Sequence, residues 1–328
     1  MTEAVLVVVE HDRGNLAGAT RDAVAAGRQL AGDGDLVALT VGAKADGLAD
    51  DLRDLGVDVT QQAHHDVLAD YGPEAWGEVV AQAVALLQPA VVVGPGTERG
   101  NEVLAQAAAR LDAPMVANCT AVGSVDGGHE VTRQRWGGSL LEEARVTGAM
   151  VLMTIAPHAL DAIATTPGRG EIRVFEPTLD PQMARSVVRD RVERAAGLTL
   201  ATAPVVVGGG RGVGSADAFA PLEELAALLG GVVGCSRVVT NNGWRSHTDQ
   251  VGQTGTRIAP TVYLACGISG AIQHWVGAMT AKHIIAVNTD ADANMVTKAD
   301  YAVIGDLHEI VPAISAEIRR RREEVRRP

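Results

Sequence analysis

Thr261-Val262-Tyr263-Leu264-Ala265-Cys266 runs without a break into Gly267-Ile268-Ser269-Gly270-Ala271-Ile272-Gln273-His274. A short apolar run bounded by glycine reads as a strand buried on both faces, and the residues after the turn open a helix. Strands buried on both faces belong to parallel sheets covered by helices, so this junction already points to an α/β fold. The turn also has a chemistry. Its glycines let the backbone approach a ligand closely, and free N–H groups with a helix dipole behind them favour an anion, a diphosphate being the natural occupant. A plain tight turn is the alternative for the junction taken alone.

Four more strand candidates surround it, at 204–207, 232–235, 283–287 and 301–304. Each ends at once in glycine or polar residues: Gly208-Gly209-Gly210-Arg211-Gly212, Ser236-Arg237, Asn288 and Gly305-Asp306. Open α/β sheets bind ligands beyond the carboxyl ends of their strands, and here all five ends carry suitable groups. Gln250-Val251-Gly252-Gln253-Thr254-Gly255 adds a loop of small donors and acceptors, which alone could be a polar surface loop. The strict Gly-x-Gly-x-x-Gly fingerprint is absent, because Gly212 and Gly214 are followed by Asp217. No Walker-type phosphate loop is present either. The pattern excludes an ordinary NAD domain and a P-loop NTPase.

The first half repeats the rhythm. A β-branched run at 4–9 is followed by a turn at 12–15, a helix at 19–31 and a strand at 36–41. A striped helix at 76–87 leads to a strand at 90–93, closed by Gly94-Pro95-Gly96, and then to a helix at 101–111. Segments 117–122 and 130–135 flank Asp126-Gly127-Gly128, a hairpin signal, and 144–155 reads as one further strand. The highly charged stretch 185–194 precedes Ala195-Ala196-Gly197, where the pattern restarts. Two domains are expected, 1–194 and 195–328, each a mostly parallel sheet flanked by helices. The alternating Arg and Glu of 318–327 read as a solvated last helix.

Composition narrows the function. The 328 residues carry a formal charge of −12, which disfavours nucleic acid and anionic lipid as partners. Lysine occurs only at Lys44, Lys282 and Lys298, and the other 25 of the 28 basic residues are arginine. An acidic, lysine-poor surface suits a salt-adapted (halophilic) source, and a GC-rich genome is the alternative. Cys119, Cys235 and Cys266 are widely spaced and odd in number, which excludes a disulfide framework and a spaced zinc site and fits a cytoplasmic location. No apolar run approaches membrane-spanning length, so stable membrane insertion is not expected.

The blocks in the second half resemble the alpha subunit of electron-transfer flavoproteins (the FixB family). The resemblance rests on Val251-Gly252-Gln253-Thr254-Gly255, Ala259-Pro260, Tyr263 and the 267–274 octet. Around these stand Gly209-Gly210-Arg211-Gly212, Ser236-Arg237, Gly243-Trp244, Val287-Asn288 and Ala299-Asp300-Tyr301 in order. A looser likeness extends from Val7-Val8-Val9-Glu10-His11 through Pro95 and Leu111-Asp112-Ala113-Pro114. It implies an adenine-nucleotide-hydrolase-like first domain, serving as scaffold and subunit interface, and a doubly wound second domain that binds FAD.

By the same resemblance, Ser269, Gly270, Ala271, Ile272, Gln273 and His274 would hold the pyrophosphate and reach the flavin, with Gly267 and Ile268 also binding the cofactor. Thr254 would lie near flavin N5, with Gln250, Val251, Gly252 and Gln253 in its loop. His274 would hydrogen-bond the O2 edge. Arg237 would set a cation beside the ring, favouring its reduced, negatively charged forms. Arg211 and Ser236 would touch the cofactor nearby, and Asn288, Asp306 and Leu307 would hold the adenosine end. His274 as a satisfied core histidine, Arg237 as a helix-start cation and Asp306 as an N-cap are the structural alternatives. Val213-Gly214, Asn241-Asn242, Thr256-Arg257, Thr289 and Ala291 depart from the family pattern, mostly through lost lysines, and leave the flavin potential open.

The implied function is electron carriage without substrate turnover. The partners would be a beta subunit holding AMP or a second FAD, acyl-CoA or related flavin dehydrogenases as donors, and a membrane quinone oxidoreductase as acceptor. Two flavin alternatives are a self-sufficient oxidoreductase and a bifurcating carrier fed by NADH through the beta subunit. The first needs a positioned acid or base, and none stands out beyond His274. An ATP-pyrophosphatase reading of the first domain lacks its Ser-Gly-Gly-x-Asp-Ser loop; Glu10-His11-Asp12-Arg13-Gly14 stands there instead.

Overall fold

The computed structural model describes residues 4–138, 140–160, 166–183, 185–189 and 198–326. The chain separates into two compact units, Met1–Glu193 and Arg194–Pro328. The domain boundary expected at 194–195, and Arg327 of the expected last helix, lie outside the described residues.

The first unit is built on a nine-stranded sheet. In spatial order its strands are Glu171–Phe175, Val59–Ala63, Leu36–Val41, Val5–Val8, Val91–Pro95, Val151–Ile155, Met115–Val125, Gly128–Arg135 and Leu140–Val146. The first seven run parallel, and the last two add an antiparallel hairpin arm. Alternate residues of Val5–Val8 enter opposite cores: Val5 and Val7 pack against Ala23 and Val24 of the Gly18–Ala31 helix. Leu6 and Val8 meet Trp76, Val79 and Leu104 from the Pro73–Leu87 and Glu98–Leu111 helices. This period-2 division is why a continuous apolar run is stable here.

Two departures from the sequence expectation stand out. The segment 144–155 is not one strand: Leu140–Val146 ends the hairpin arm, and after a turn Val151–Ile155 enters the middle of the sheet between Val91–Pro95 and Met115–Val125. Arg145 interrupts its apolar run, and Thr147-Gly148 lets the chain turn out of one strand and back into another. The strands Val59–Ala63 and Glu171–Phe175 lacked a sequence signal. The first contains buried Gln61 and Gln62, and the second is an exposed edge of mixed polarity.

The second unit is a five-stranded, wholly parallel sheet. Its order is Val232–Cys235, Val205–Gly209, Val262–Cys266, His283–Asn288, Tyr301–Ile304, or 2-1-3-4-5 in chain sequence. The helices Ala220–Leu228 and Leu307–Arg326 bury Leu222, Leu225, Leu307 and Val311 against one face. Ile272–Ala278 and Asn294–Lys298 bury Ala278 and Met295 against the other. The sheet is therefore doubly wound, as expected. Its order reverses between Val205–Gly209 and Val262–Cys266, the position at which such sheets open a crevice. Among the described residues no helix is long and apolar enough to cross a membrane, and no cluster of His, Cys, Asp or Glu is placed to hold a metal.

Candidate functional site

A cleft of about 530 Å³ opens at that reversal, within the size range of small-molecule and cofactor sites. Its floor is two glycine loops in direct backbone contact. Gly210 N–H donates to Cys266 O at 2.9 Å and Gly212 N–H to Gly267 O at 3.1 Å. A Cβ on Gly210 would stand 2.1 Å from Gly267 O. Gly267 and Gly270 adopt φ values of 63° and 77°, the left-handed region that glycine enters without penalty. Glycine at these positions is a requirement of the turn.

The consequence is a row of free donors. Among the described residues the N–H groups of Ile268, Ser269, Gly270 and Ala271 take no backbone or side-chain acceptor. Ile268, Ser269, Gly270 and Ala271 all line the cleft. Consecutive unpaired amides of this kind form an anion seat. Arg211 and Arg237 line the same cleft, exposed and with no ion pair among the described residues. Ser236, at the start of the Arg237–Asn241 helix, makes no side-chain cap bond and lines the cleft.

Other expected site residues act more as braces. Asn288 Nδ2 donates to Ile268 O at 3.1 Å, and its Oδ1 accepts from Asp290 N at 3.1 Å, so this side chain holds the turn in shape. Asp306 Oδ1 accepts from His308 N at 2.9 Å, capping the last helix while lining the cleft. Leu307 is 5% exposed and is a core residue as well as a wall. Gly212 and Gly305, from the strand-end loops, also line the cleft.

The 250–255 loop lies beside the cleft and not in its lining. Gln253 N–H donates to Gln273 O at 2.7 Å, which ties the loop to the start of the Ile272–Ala278 helix. Val251 is buried in the core against Gly234, leaving only its backbone to the loop. Gln250, 2% exposed, bridges Thr240 Oγ1 at 2.6 Å and Thr254 Oγ1 at 3.0 Å. Its amide orients the exposed Thr254 hydroxyl from below. Gly252 at φ 142° lies against Gly277, where a Cβ would come within 2.3 Å of Gly252 Cα. Gly277 was not singled out in the sequence, because one glycine in a helical stretch carries no signal of what packs on it. Ile272 is exposed outside the lining, whereas Gln273 and His274 line the cleft.

His274 is 6% exposed, and burial lowers its pKa to about 4, so the ring is neutral at physiological pH. The Cys235 and Cys266 thiols are pushed up to about 12 by burial and behave as small core groups. Val238, Asn241, Asp290 and Ala293 also line the cleft without having been expected to. They enter through the short helix after Ser236 and the turn after Asn288, whose shapes are not written in residue type.

Comparisons with known proteins give the family. A family described as "Electron transfer flavoprotein domain" matches residues 5–180, more than half the chain. The chain belongs to the electron transfer flavoprotein alpha-subunit family. Its second unit matches the "Electron transfer flavoprotein FAD-binding domain" over residues 199–279, which takes in Arg211, Arg237, Thr254 and His274 and ends before Asn288 and Asp306. The electron transfer flavoprotein subunit alpha of Bacillus subtilis is 35% identical, the match covering 97% of this chain and 98% of that one. The subunit alpha of Mycobacterium leprae is 35% identical over 98% of this chain and 100% of that one. Protein FixB of Clostridium saccharobutylicum is 32% identical over 96% of each. The role of this alpha-subunit chain is therefore electron transfer, with FAD as the cofactor of its second unit and a beta subunit as its partner.

The first unit has a crevice in the matching place, at its own strand reversal between Val5–Val8 and Val91–Pro95. It is filled. Trp76 stacks on His11 at 5.3 Å, Arg99 sits 4.9 Å over the Tyr71 ring, and Thr97 bonds the Glu10 carboxylate. About 10 Å³ remains, room for one water.

Proposed function

We propose that this chain holds FAD in the cleft of its second unit, accepts electrons from acyl-CoA or related flavin dehydrogenases and passes them to a membrane quinone oxidoreductase. The observation that carries the reading is the run of four N–H groups at 268–271, unpaired among the described residues, in a cleft that Arg211 and Arg237 also line. The donor set fits a dinucleotide with a diphosphate and an electron-accepting ring. FAD supplies reversible electron uptake; the chain supplies position and field.

In this reading Ile268 to Ala271 bind the diphosphate, and Asn288 keeps their amides aligned. Arg237 sets a fixed positive charge beside the ring system, and Arg211 and Ser236 bind nearby. Thr254 offers its hydroxyl at N5, oriented by Gln250, while His274 donates to the O2 edge. Asp306 and Leu307 bound the adenosine end. Residues 1–194 form the scaffold that meets the beta subunit, which holds AMP or, in a bifurcating pair, a second FAD. The acidic, lysine-poor surface and buried thiols suit a salt-rich cytoplasm. A melting temperature independent of KCl would remove the salt adaptation from this account.

Co-expression with the beta subunit is the direct test. A yellow complex with a flavin spectrum that reduces stepwise is expected. A colourless complex that takes up no added FAD would overturn the proposal.

A further inference from the structure

The strand ends of the second unit carry charge in a fixed order across the sheet. Arg237 follows the edge strand Val232–Cys235, and Arg211 follows its neighbour Val205–Gly209. The amides of 268–271, unpaired among the described residues, follow Val262–Cys266 in the middle. Asp290 follows His283–Asn288, and Asp306 follows Tyr301–Ile304 at the far edge. All four charged side chains are exposed and line the cleft. Burial keeps His274 neutral, so the lining is positive at one end, uncharged in the middle and negative at the other end.

The negative end is held in place by the turns themselves. Asp290 N–H donates to Asn288 Oδ1 at 3.1 Å, and Asp290 Oδ1 accepts from Asp292 N at 3.0 Å. Asn288 Nδ2 also donates to Ile268 O at 3.1 Å, so one side chain ties the amide row to the Asp290 turn and sets their spacing. Asp306 Oδ1 is likewise taken by His308 N at 2.9 Å. Each carboxylate commits one oxygen to its own turn. The second oxygen of each takes no hydrogen bond among the described residues. An ionised carboxylate accepts and does not donate, so it suits hydroxyl and amine donors and repels a phosphate.

We infer that Asp290, with Asp306, selects the nucleoside end of the ligand, taking a ribose with free hydroxyls and rejecting one that carries a further phosphate. The inference deepens the FAD reading and rests on it. The same polarity sets the direction of the dinucleotide. The diphosphate sits on neutral amides, the ring that gains negative charge on reduction lies towards the arginines, and the uncharged sugar lies towards the carboxylates. A reversed dinucleotide would put the reduced ring beside two like charges.

The test is competition for FAD uptake by the full heterodimer stripped of flavin. Visible absorption of bound flavin is the signal, to which AMP held by the beta subunit adds nothing. ADP is expected to compete. Dideoxy-ADP, lacking both ribose hydroxyls, should be roughly tenfold weaker, the scale of one lost hydrogen bond to a charged group. ADP with a 2′-phosphate should be roughly a hundredfold weaker than ADP, and the gap should narrow at about 1 M KCl as the charges are screened. Asp290→Asn keeps the Oδ1 acceptor for Asp292 N and removes the charge, so it should shrink that gap by about tenfold. The inference is overturned by a 2′-phosphate tolerated as well as a free hydroxyl, by dideoxy-ADP equal to ADP, or by ADP that does not compete. Those comparisons need no variant. An Asp290→Asn gap equal to that of the wild type would overturn it too. A heterodimer that takes up no FAD fails at the functional reading, whereas one that takes up FAD without discriminating among the nucleotides fails only here.

Discussion

Each of the two sheets has a reversal of strand order beside its first strand, and each of these leaves a crevice at the carboxyl ends of its strands. In the second unit those ends are Gly209-Gly210 and Gly267, the loops touch backbone to backbone, and about 530 Å³ stays open. In the first unit the ends are Val9-Glu10-His11 and Pro95, and Trp76, Tyr71 and Arg99 close the space to about 10 Å³. Topology provides the place in both. Side-chain volume at the strand ends determines whether the place is a binding site or part of the core.

Emptying the first crevice is the strongest way to break the contrast. Trp76→Ala removes a 4%-exposed ring and is expected to destabilise the chain by about 3–5 kcal/mol in urea unfolding. It should create no affinity for AMP in calorimetry, because the Glu10 carboxylate lines that space and opposes a phosphate. Nucleotide binding by this variant would show that volume alone separates the two units.

Acid should act on the second unit through His274. Its folded pKa of about 4 lies below the ordinary 6.5, so the unfolded chain binds more protons between these values. Stability is then full above pH 6.5 and falls as the pH drops towards 4, by on the order of 3 kcal/mol. Denaturation followed across this window should show the slope, and His274→Gln should flatten it.

Filling the open cleft tests the same contrast from the other side. Gly210→Ala pushes a methyl against Gly267 O, at an expected cost of about 1–3 kcal/mol. FAD titration should show far weaker binding, since the 267–271 loop must move. Normal binding would mean that the two glycine loops need not touch. The smallest effect is expected for Arg237→Ala, which leaves the fold intact and lowers the flavin potential by roughly 60 mV, a tenfold change for one electron. An unchanged redox titration would remove Arg237 from the site.

The parallel α/β class, the double winding of the second sheet and the anion-seating turn were legible in the sequence. Each depends on local pattern: apolar runs of strand length, glycine at strand ends, helical spacing after the turn. The split of 144–155 into two strands was not, because that stretch carries a single charge, Arg145, and only the pairing partners distinguish an arm from a central strand. Val59–Ala63 was hidden for a related reason. Gln61 and Gln62 are polar but buried, and burial is a property of neighbours.

The candidate site divides along the same line. The residues 267–274 reveal themselves because a backbone that must bend sharply and leave its amides free requires glycine at fixed places, which residue identity records. The sequence by itself therefore determined where the backbone turns sharply with its amides free and that the strand ends converge. Only the tertiary structure decided that Gln250 stands beneath Thr254, that Gly277 makes room for Gly252, and that Tyr263 holds the far nitrogen of His274. Those are contacts between segments brought together by folding, where distance in space, and not spacing along the chain, sets which groups can share a proton.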